Sequence, residues 1–162
     1  MRHCHECGTK LVDKECDGEG LIPYCDHCAS YRFPIFSTAI STVVMNRDMN
    51  KVLLIQQYNR PYYILVAGYI NKGENAEETL IREVKEEIGL EVVSSEYMRS
   101  LYYEPSNTLM INYISIVDSE DLSQVSSEVD TAVWFTLEEA AASIKKDSLA
   151  ETFLLAVIKK LS

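Results

Sequence analysis

Between Gly68 and Leu90 the chain sets out a glycine, five residues, a glutamate, seven residues, and then the run Arg82-Glu83-Val84-Lys85-Glu86-Glu87-Ile88-Gly89-Leu90. This spacing constrains the fold more than any other segment, because one helix must satisfy both an apolar face and an acidic edge. At about 100° per residue, with Glu83 set at zero, Glu86 falls near −60° and Glu87 near +40°. The three carboxylates thus share an arc of roughly 100°. Leu80, Val84, Ile88 and Ile81 fall at roughly +60°, +100°, +140° and +160°, predicting a separate apolar stripe beside the acids. The acids then line the edge of a buried face, where a cleft can form. Like charges one turn apart cost an isolated helix roughly 0.2–0.5 kcal/mol per pair. Lys85 points away at about −160°, so the pattern leaves no side chain in the middle of the arc to neutralise it. A bound cation would.

The helix is expected to start near Ala76 after the N-cap Asn75 and to stop at Gly89, which can take a positive φ. Gly73 and Gly68 sit in the segment feeding it. Arg82, four residues before Glu86, can reach across and hold that carboxylate in one orientation. Magnesium prefers oxygen ligands, keeps several waters, and is usually held by one or two carboxylates together with substrate phosphates. Glu-x-x-Glu-Glu alone is equally compatible with a solvated acidic helix.

The full pattern is more specific. It resembles, at every position, the Nudix box, Gly-x5-Glu-x7-Arg-Glu-U-x-Glu-Glu-x-Gly-U with U a bulky aliphatic. The resemblance implies an α+β fold, an αβα sandwich with a mixed sheet. It also implies hydrolysis of a nucleoside diphosphate linked to another moiety, with Mg2+ or Mn2+ as the catalytic ion. Carried over by position, Glu83, Glu86 and Glu87 would be metal ligands, with Glu74 a weaker candidate and the Gly68 carbonyl a further ligand. Metal ions stabilise charge on phosphoryl oxygens and lower the pKa of a bound water.

A second signal lies at the N-terminal end. Cys4-x2-Cys7, seventeen residues, then Cys25-x2-Cys28 gives four thiolates at the spacing of a tetrahedral zinc site. Disulfides are the alternative. A chain opening Met1-Arg2-His3-Cys4, without the pattern of a secretory signal, is expected in a reducing cytoplasm, where paired Cys-x-x-Cys motifs more often bind metal. Four cysteines close the coordination shell, so the Zn2+ is expected to be structural. Cys16 is left over, and His3, His5 and His27 are not needed as ligands. About 30 residues cannot bury enough apolar surface to fold alone, and metal binding can supply that stability. Residues 1–33 hold Arg2, Lys10, Lys14 and Arg32 against Glu6, Asp13, Glu15, Asp17, Glu19 and Asp26. That balance is wrong for a phosphate backbone.

The whole chain agrees with this part. A formal net charge of −10 disfavours non-specific binding to nucleic acid or to an anionic membrane. No stretch approaches the 18 or so apolar residues of a membrane span. At 162 residues and 47% hydrophobic content, the chain suits one ordinary core plus a small appendage: a zinc ribbon over residues 1–33 and a second domain over 34–162. Strands are expected at Ser37 to Val44, Lys51 to Gln57, Tyr62 to Val66, Glu91 to Val93, Met98 to Tyr103, Leu109 to Val117 and Ala132 to Phe135. Helices are expected at Leu137 to Ile144, capped by Thr136, and Leu149 to Leu161. The sum is a mixed sheet between helices.

Joined in this order, the ribbon, Tyr31-Arg32-Phe33-Pro34 and the box opened by Ala67-Gly68-Tyr69 are similar to the NADH pyrophosphatase family. That resemblance implies cleavage of NADH or NAD to nicotinamide mononucleotide and AMP, in a homodimer. It also implies a further catalytic and metal-binding glutamate at Glu128, six residues before Trp134-Phe135. Arg82, Glu83, Glu86 and Glu87 complete the expected catalytic set. The chain departs from the family beyond the box. Of its signature there, Ser100, Leu109 and Met110 match, while Tyr103 replaces a tryptophan, and Asn71 stands where glutamate is common. ADP-ribose or another nucleoside diphosphate derivative is therefore an alternative substrate, and a non-catalytic nucleotide or RNA sensor an alternative function. Tyr62, Tyr63, Tyr69, Tyr102, Tyr103 and Tyr113 fall near the expected cleft, with Tyr69 and Tyr103 the choices for stacking on a base.

Overall fold

In the computed structural model, which describes residues 2–162, the chain divides into two compact units, one ending at Phe36 and one beginning at Ser37.

The first unit is a three-stranded antiparallel sheet of β1 (Val12–Cys16), β2 (Gly20–Cys25) and β3 (Ser30–Tyr31), in that order. The residue after each Cys-x-x-Cys pair turns into the left-handed region, Gly8 at φ 74° and Ala29 at φ 52°. This bends each pair into a tight knuckle. Its buried cluster consists of Cys4, Leu11 and Cys25, with Cys28 packed against them.

The second unit carries a six-stranded mixed sheet. Its strands are β4 (Ser37–Met45), β5 (Lys51–Gln57), β6 (Val66–Tyr69), β7 (Val92–Tyr103), β8 (Thr108–Val117) and β9 (Val129–Thr136), ordered β7-β8-β4-β5-β9. The β4–β8 pair is parallel and the others are antiparallel. Side chains alternate across the sheet. Val43, Met45, Val52 and Leu54 enter one core with Ala140, Phe153, Leu154 and Val157 from α2 (Leu137–Ser143) and α3 (Leu149–Leu161). Val44, Leu53 and Ile55 enter the other core with Val84 and Ile88 from α1 (Ala76–Ile88). Helices therefore cover both faces, as the Nudix resemblance predicts. No helix among the described residues is long and apolar enough to cross a membrane.

One irregularity of the sheet positions the site. β4 pairs with β6 over Ala39 to Thr42 and with β5 only at Val44 and Met45. The end of β5 and the glycine of β6 thus come apart, and α1 packs across the gap with Leu80, Val84 and Ile88 fully buried. Ile81, expected in the same stripe, is 47% exposed, because it lies furthest round the helix, beyond the width of the sheet contact. The strand expected at Tyr62 to Val66 instead begins at Val66, with only single bridges at Tyr63 and Ile64 before it. The two extended pieces expected after α1 are one twelve-residue edge strand, β7.

Candidate active site

The helix that carries the acids is fixed at both ends. Asn75 accepts from the Glu78 amide at 2.8 Å while Glu78 accepts from the Asn75 amide at 3.2 Å, a reciprocal cap. Gly89 closes the other end at φ 73°. So held, α1 presents Glu83 and Glu87 to a cleft of about 440 Å3, lined also by Gly68, Tyr69, Arg82 and Glu128. Glu86 faces outward, its side chain 60% exposed.

Glu87 is the most constrained acid. It is 7% exposed, Gln57 donates to its Oε1 at 2.6 Å, and its Oε2 is buried with no partner. Burial outweighs the Gln57 hydrogen bond and, with the negative charges of Glu83, Glu128 and Glu86, pushes the carboxyl up to about 7. Burial likewise raises Glu83 against the pull of Arg82. Two carboxyls held above the usual range, one with an orphaned oxygen, call for a positive charge that the protein itself does not bring to Glu87.

Arg82 organises the remaining acids. Its Nη1 donates to Glu83 at 2.8 Å and to Glu86 at 3.0 Å, its Nε and Nη2 grip both oxygens of Glu74 at 2.8 and 3.0 Å, and Nη2 also reaches the Tyr69 carbonyl at 3.2 Å. This corrects the expectation that nothing neutralises the arc. Glu74 also accepts from Thr79 at 2.9 Å and from the Asn71 amide at 3.1 Å. Arg82 first, then these contacts, hold Glu74 down at about 2, so it is a brace for Arg82. Glu86 stands apart from the cleft wall that Glu83 and Glu87 line. The donor set nonetheless fits a hard divalent cation: carboxylate oxygens on a cleft wall, one of them desolvated and unpaired.

Gly68 is required by the same geometry. A Cβ built there would lie 1.9 Å from Glu83 Oε1, so the Glu83 carboxylate occupies the space a side chain would fill. Gly68→Ala is expected to leave the fold intact, displace Glu83 by about an ångström and lower turnover roughly 100-fold. Circular dichroism and steady-state rates test both halves; unchanged rates would remove Glu83 from the site.

The tyrosines separate cleanly. Tyr69 lines the acidic cleft, and Tyr62 and Tyr103 line an adjoining cavity. Tyr113 is buried and donates to Glu77 at 2.7 Å, and Tyr63 packs edge-on against Phe135 at 5.0 Å. The Tyr102 hydroxyl donates to Asn107 at 2.6 Å. Tyr58 and Met110 line both cavities. Met110 was marked in sequence only as part of the signature beyond the box, and neither Tyr58 nor Gln57 stands out there.

In the first unit, Cys4, Cys7, Cys25 and Cys28 bring their sulfurs within 4.8 Å of one another, and all five cysteines are free thiols. Cys7–Cys25 and Cys4–Cys28 sulfur pairs lie 3.5 and 4.0 Å apart. A tetrahedron with Zn–S bonds of about 2.3 Å has edges of about 3.8 Å, so the residues fit zinc. Arg32 Nε donates to Cys4 Sγ at 3.1 Å, and the Arg32 guanidinium is held by Glu6 at 2.6 Å. Although burial works against it, the Arg32 contact brings Cys4 down to about 5. The neighbouring thiols, Cys7 foremost, push Cys28 up to about 12. A thiolate among crowded thiols is what a bound cation relieves.

Comparison with known proteins agrees with this geometry. The NUDIX domain family model matches residues 36–155. The chain is 26% identical over 137 residues to the NAD-capped RNA hydrolase NudC of Pseudomonas aeruginosa (strain LESB58), covering 85% of this chain and 48% of that protein. It is 27% identical over 161 residues to the protein of the same name from Photobacterium profundum, covering 96% and 59%. The chain thus spans about half the length of the curated relatives it matches. Among solved structures, a NUDIX hydrolase from Nitrosomonas europaea superposes with a TM-score of 0.64 at 18% identity, covering 97% of this chain and 88% of that one. The NUDIX domain of Shewanella oneidensis NrtR, crystallised with ADP ribose, gives 0.66 at 17% identity, covering 86% and 94%. With the box running from Gly68 on β6 through α1 to Leu90, and the family model spanning most of its length, the chain belongs to the Nudix family.

Proposed function

We propose that the protein is a metal-dependent pyrophosphohydrolase that cleaves the diphosphate of NADH, NAD or a similar dinucleotide, releasing nicotinamide mononucleotide and AMP. The observation that carries this reading is the buried, unpartnered Oε2 of Glu87 beside Glu83 and Glu128 in one cleft. The relatives named NAD-capped RNA hydrolase support an NAD-linked substrate.

Glu83, Glu86, Glu87 and Glu128, with the Gly68 carbonyl, would hold Mg2+ or Mn2+. The bound ions supply charge neutralisation on the phosphoryl oxygens and a more acidic water. The chain's own residues do the rest. Arg82 is a positioning residue that fixes Glu83 and Glu86 from behind, and Gln57 fixes the orientation of Glu87 by holding one of its oxygens. Tyr69 and Tyr103 offer ring faces to a base. Residues 1–33 form a zinc ribbon and 34–162 the hydrolase domain; zinc in the ribbon is structural. We further propose a cytoplasmic homodimer, the dimer to be read by light scattering.

Initial rates on NADH, NAD, ADP-ribose and an oxidised nucleoside triphosphate, with Mg2+ or Mn2+, test the substrate. The expected result is fastest turnover of NADH or NAD, with AMP and the mononucleotide as products. Faster hydrolysis of ADP-ribose or of the triphosphate would overturn it.

A further inference from the structure

Beside the acidic cleft, and sharing Tyr58 and Met110 with it, lies a second cavity of about 410 Å3. Its charge is inverted. The first cavity is walled by Glu83, Glu87 and Glu128 with one arginine, whereas the charged residues lining the second are Arg60 and Lys145, with no Asp or Glu among them. In a chain of net charge −10, two cations facing one cavity without a carboxylate are an anomaly. Among the described residues, neither forms an ion pair. They share a tyrosine instead: Arg60 Nη1 donates to the Tyr62 hydroxyl at 2.5 Å, and Lys145 Nζ lies 4.4 Å from the centre of its ring. The Arg60 hydrogen bond first, against burial, and then the charges of Arg60 and Lys145 lower the Tyr62 pKa, as cations beside a phenol do.

The backbone holds both cations in place. Tyr58 and Asn59 sit consecutively at φ 59° and 54°, a conformation costly for a bulky side chain and kept only where the surroundings enforce it. Here the Asn59 amide is held by Asp130 at 2.6 Å and the Arg60 amide by the Gln57 carbonyl at 3.2 Å. This turn sets Tyr58 between the two cavities and Arg60 on the second. Lys145 is fixed from the other side, its amide donating to the Tyr63 carbonyl at 2.9 Å. The first turn of α3, at Ser148 to Ala150, completes the wall and adds the positive end of its peptide dipoles. Glu151 in that turn is already engaged by Lys146 at 3.2 Å and the Asp147 amide at 2.8 Å.

Resting on the proposed dinucleotide activity, we infer that Arg60 and Lys145 form an anion subsite that binds a phosphate ester on a ribose of the substrate, beyond the two phosphates that are cleaved. Tyr62 and Tyr103 give that cavity aromatic surface for the attached nucleoside, and Tyr58 stands where the two halves of the substrate join. The preferred substrates are then ribose-phosphorylated dinucleotides.

The test compares kcat/KM for NADPH with NADH, and for coenzyme A with dephospho-coenzyme A, in the wild type and in Arg60→Gln/Lys145→Gln. Both residues are exposed, so the variant is expected to fold. The wild type is expected to favour at least one phosphorylated partner by about 10- to 100-fold, the usual worth of hydrogen bonds to a charged group, and the variant to lose that preference. Which pair responds tells a 2′- from a 3′-phosphate. Equal rates within each pair, or a preference that survives in the variant, would overturn the subsite. A gain seen only for NAD-capped RNA over NADH would assign the cations to a nucleic-acid strand and also overturn it. Calorimetric binding of ADP-ribose 2′-phosphate against ADP-ribose in EDTA, with adenosine 3′,5′-bisphosphate against AMP, reads the subsite without turnover. If no dinucleotide is cleaved but a phosphorylated ligand binds more tightly and the variant abolishes the difference, the proposed activity fails and the subsite stands.

Discussion

Glu87→Gln will abolish most turnover and, in the same protein freed of metal, raise stability above pH 7. The two effects have one cause. Glu87 is buried beside Glu83 and Glu128 with one oxygen unpaired, so its negative form is useful with a cation present and costly without one. The loss of turnover is expected to be at least about 100-fold, because even the partners that stand behind metal ligands are worth 10- to 100-fold. For stability, the sign follows from proton binding. The native carboxyl keeps its proton up to about pH 7, whereas in the unfolded chain it is lost near 4.5. Between those values the native state binds more protons, so the stability of the metal-free wild type falls as pH rises and then levels off above 7. The span corresponds to up to about 3 kcal/mol. Glutamine cannot ionise, so the variant lacks this slope. Urea unfolding in EDTA from pH 4 to 8 reads it, and parallel curves for the two proteins would show that Glu87 is not desolvated as described.

What could be seen in the sequence was what depends on residues close together in the chain. The wheel that put Glu83, Glu86 and Glu87 on one arc used only the 3.6-residue period, and the caps at Asn75 and Gly89 are local hydrogen bonds. The caps appear in the structure, and of the arc Glu83 and Glu87 line the cleft while Glu86 stays exposed. The cysteine cluster was equally legible, because each pair needs only a knuckle. Long-range choices were not. That Gln57 would hold Glu87, thirty positions away, depends on β4 dividing its edge between β5 and β6. Arg82 was expected to reach Glu86 by helical spacing, but its grip on Glu74 and the Tyr69 carbonyl arises from the chain folding back before α1. β7 hid its length because it is an exposed edge with register shifts at Val92/Ser94 and Tyr97/Arg99, which break the two-residue alternation that marks a strand. The Tyr58–Asn59 turn lacked a signal of another kind. A positive φ is announced by glycine or asparagine, and its first position here is a tyrosine.

Removing zinc is expected to unfold the first unit outright while the second keeps its fold. The reason is the composition of its interior: among the described residues, Leu11, 7% exposed, is the one buried apolar side chain there that is not a cysteine. A buried leucine contributes about 1.5–3 kcal/mol, while ordering each residue of the backbone costs roughly 1–2 kcal/mol. Some thirty residues therefore cannot hold three short strands on that burial and their hydrogen bonds without a further large contribution. Zinc bound by four thiolates supplies about 10–16 kcal/mol in small zinc-dependent domains. Cys25→Ser removes the thiol at the centre of the cluster, whose side chain is fully buried, and is expected to give a protein without stoichiometric zinc. Limited proteolysis would then cut within residues 2–36 and leave a fragment close to 37–162, whose two cores on either face of the sheet do not involve the cysteines. Chelation of the wild type should reproduce the same cleavage pattern, and added zinc should reverse it. If metal analysis finds no zinc, and reducing agent alone opens the unit, the cysteines are paired as disulfides. If the unit resists protease with neither zinc nor disulfides, its stability has a source other than the sulfur cluster.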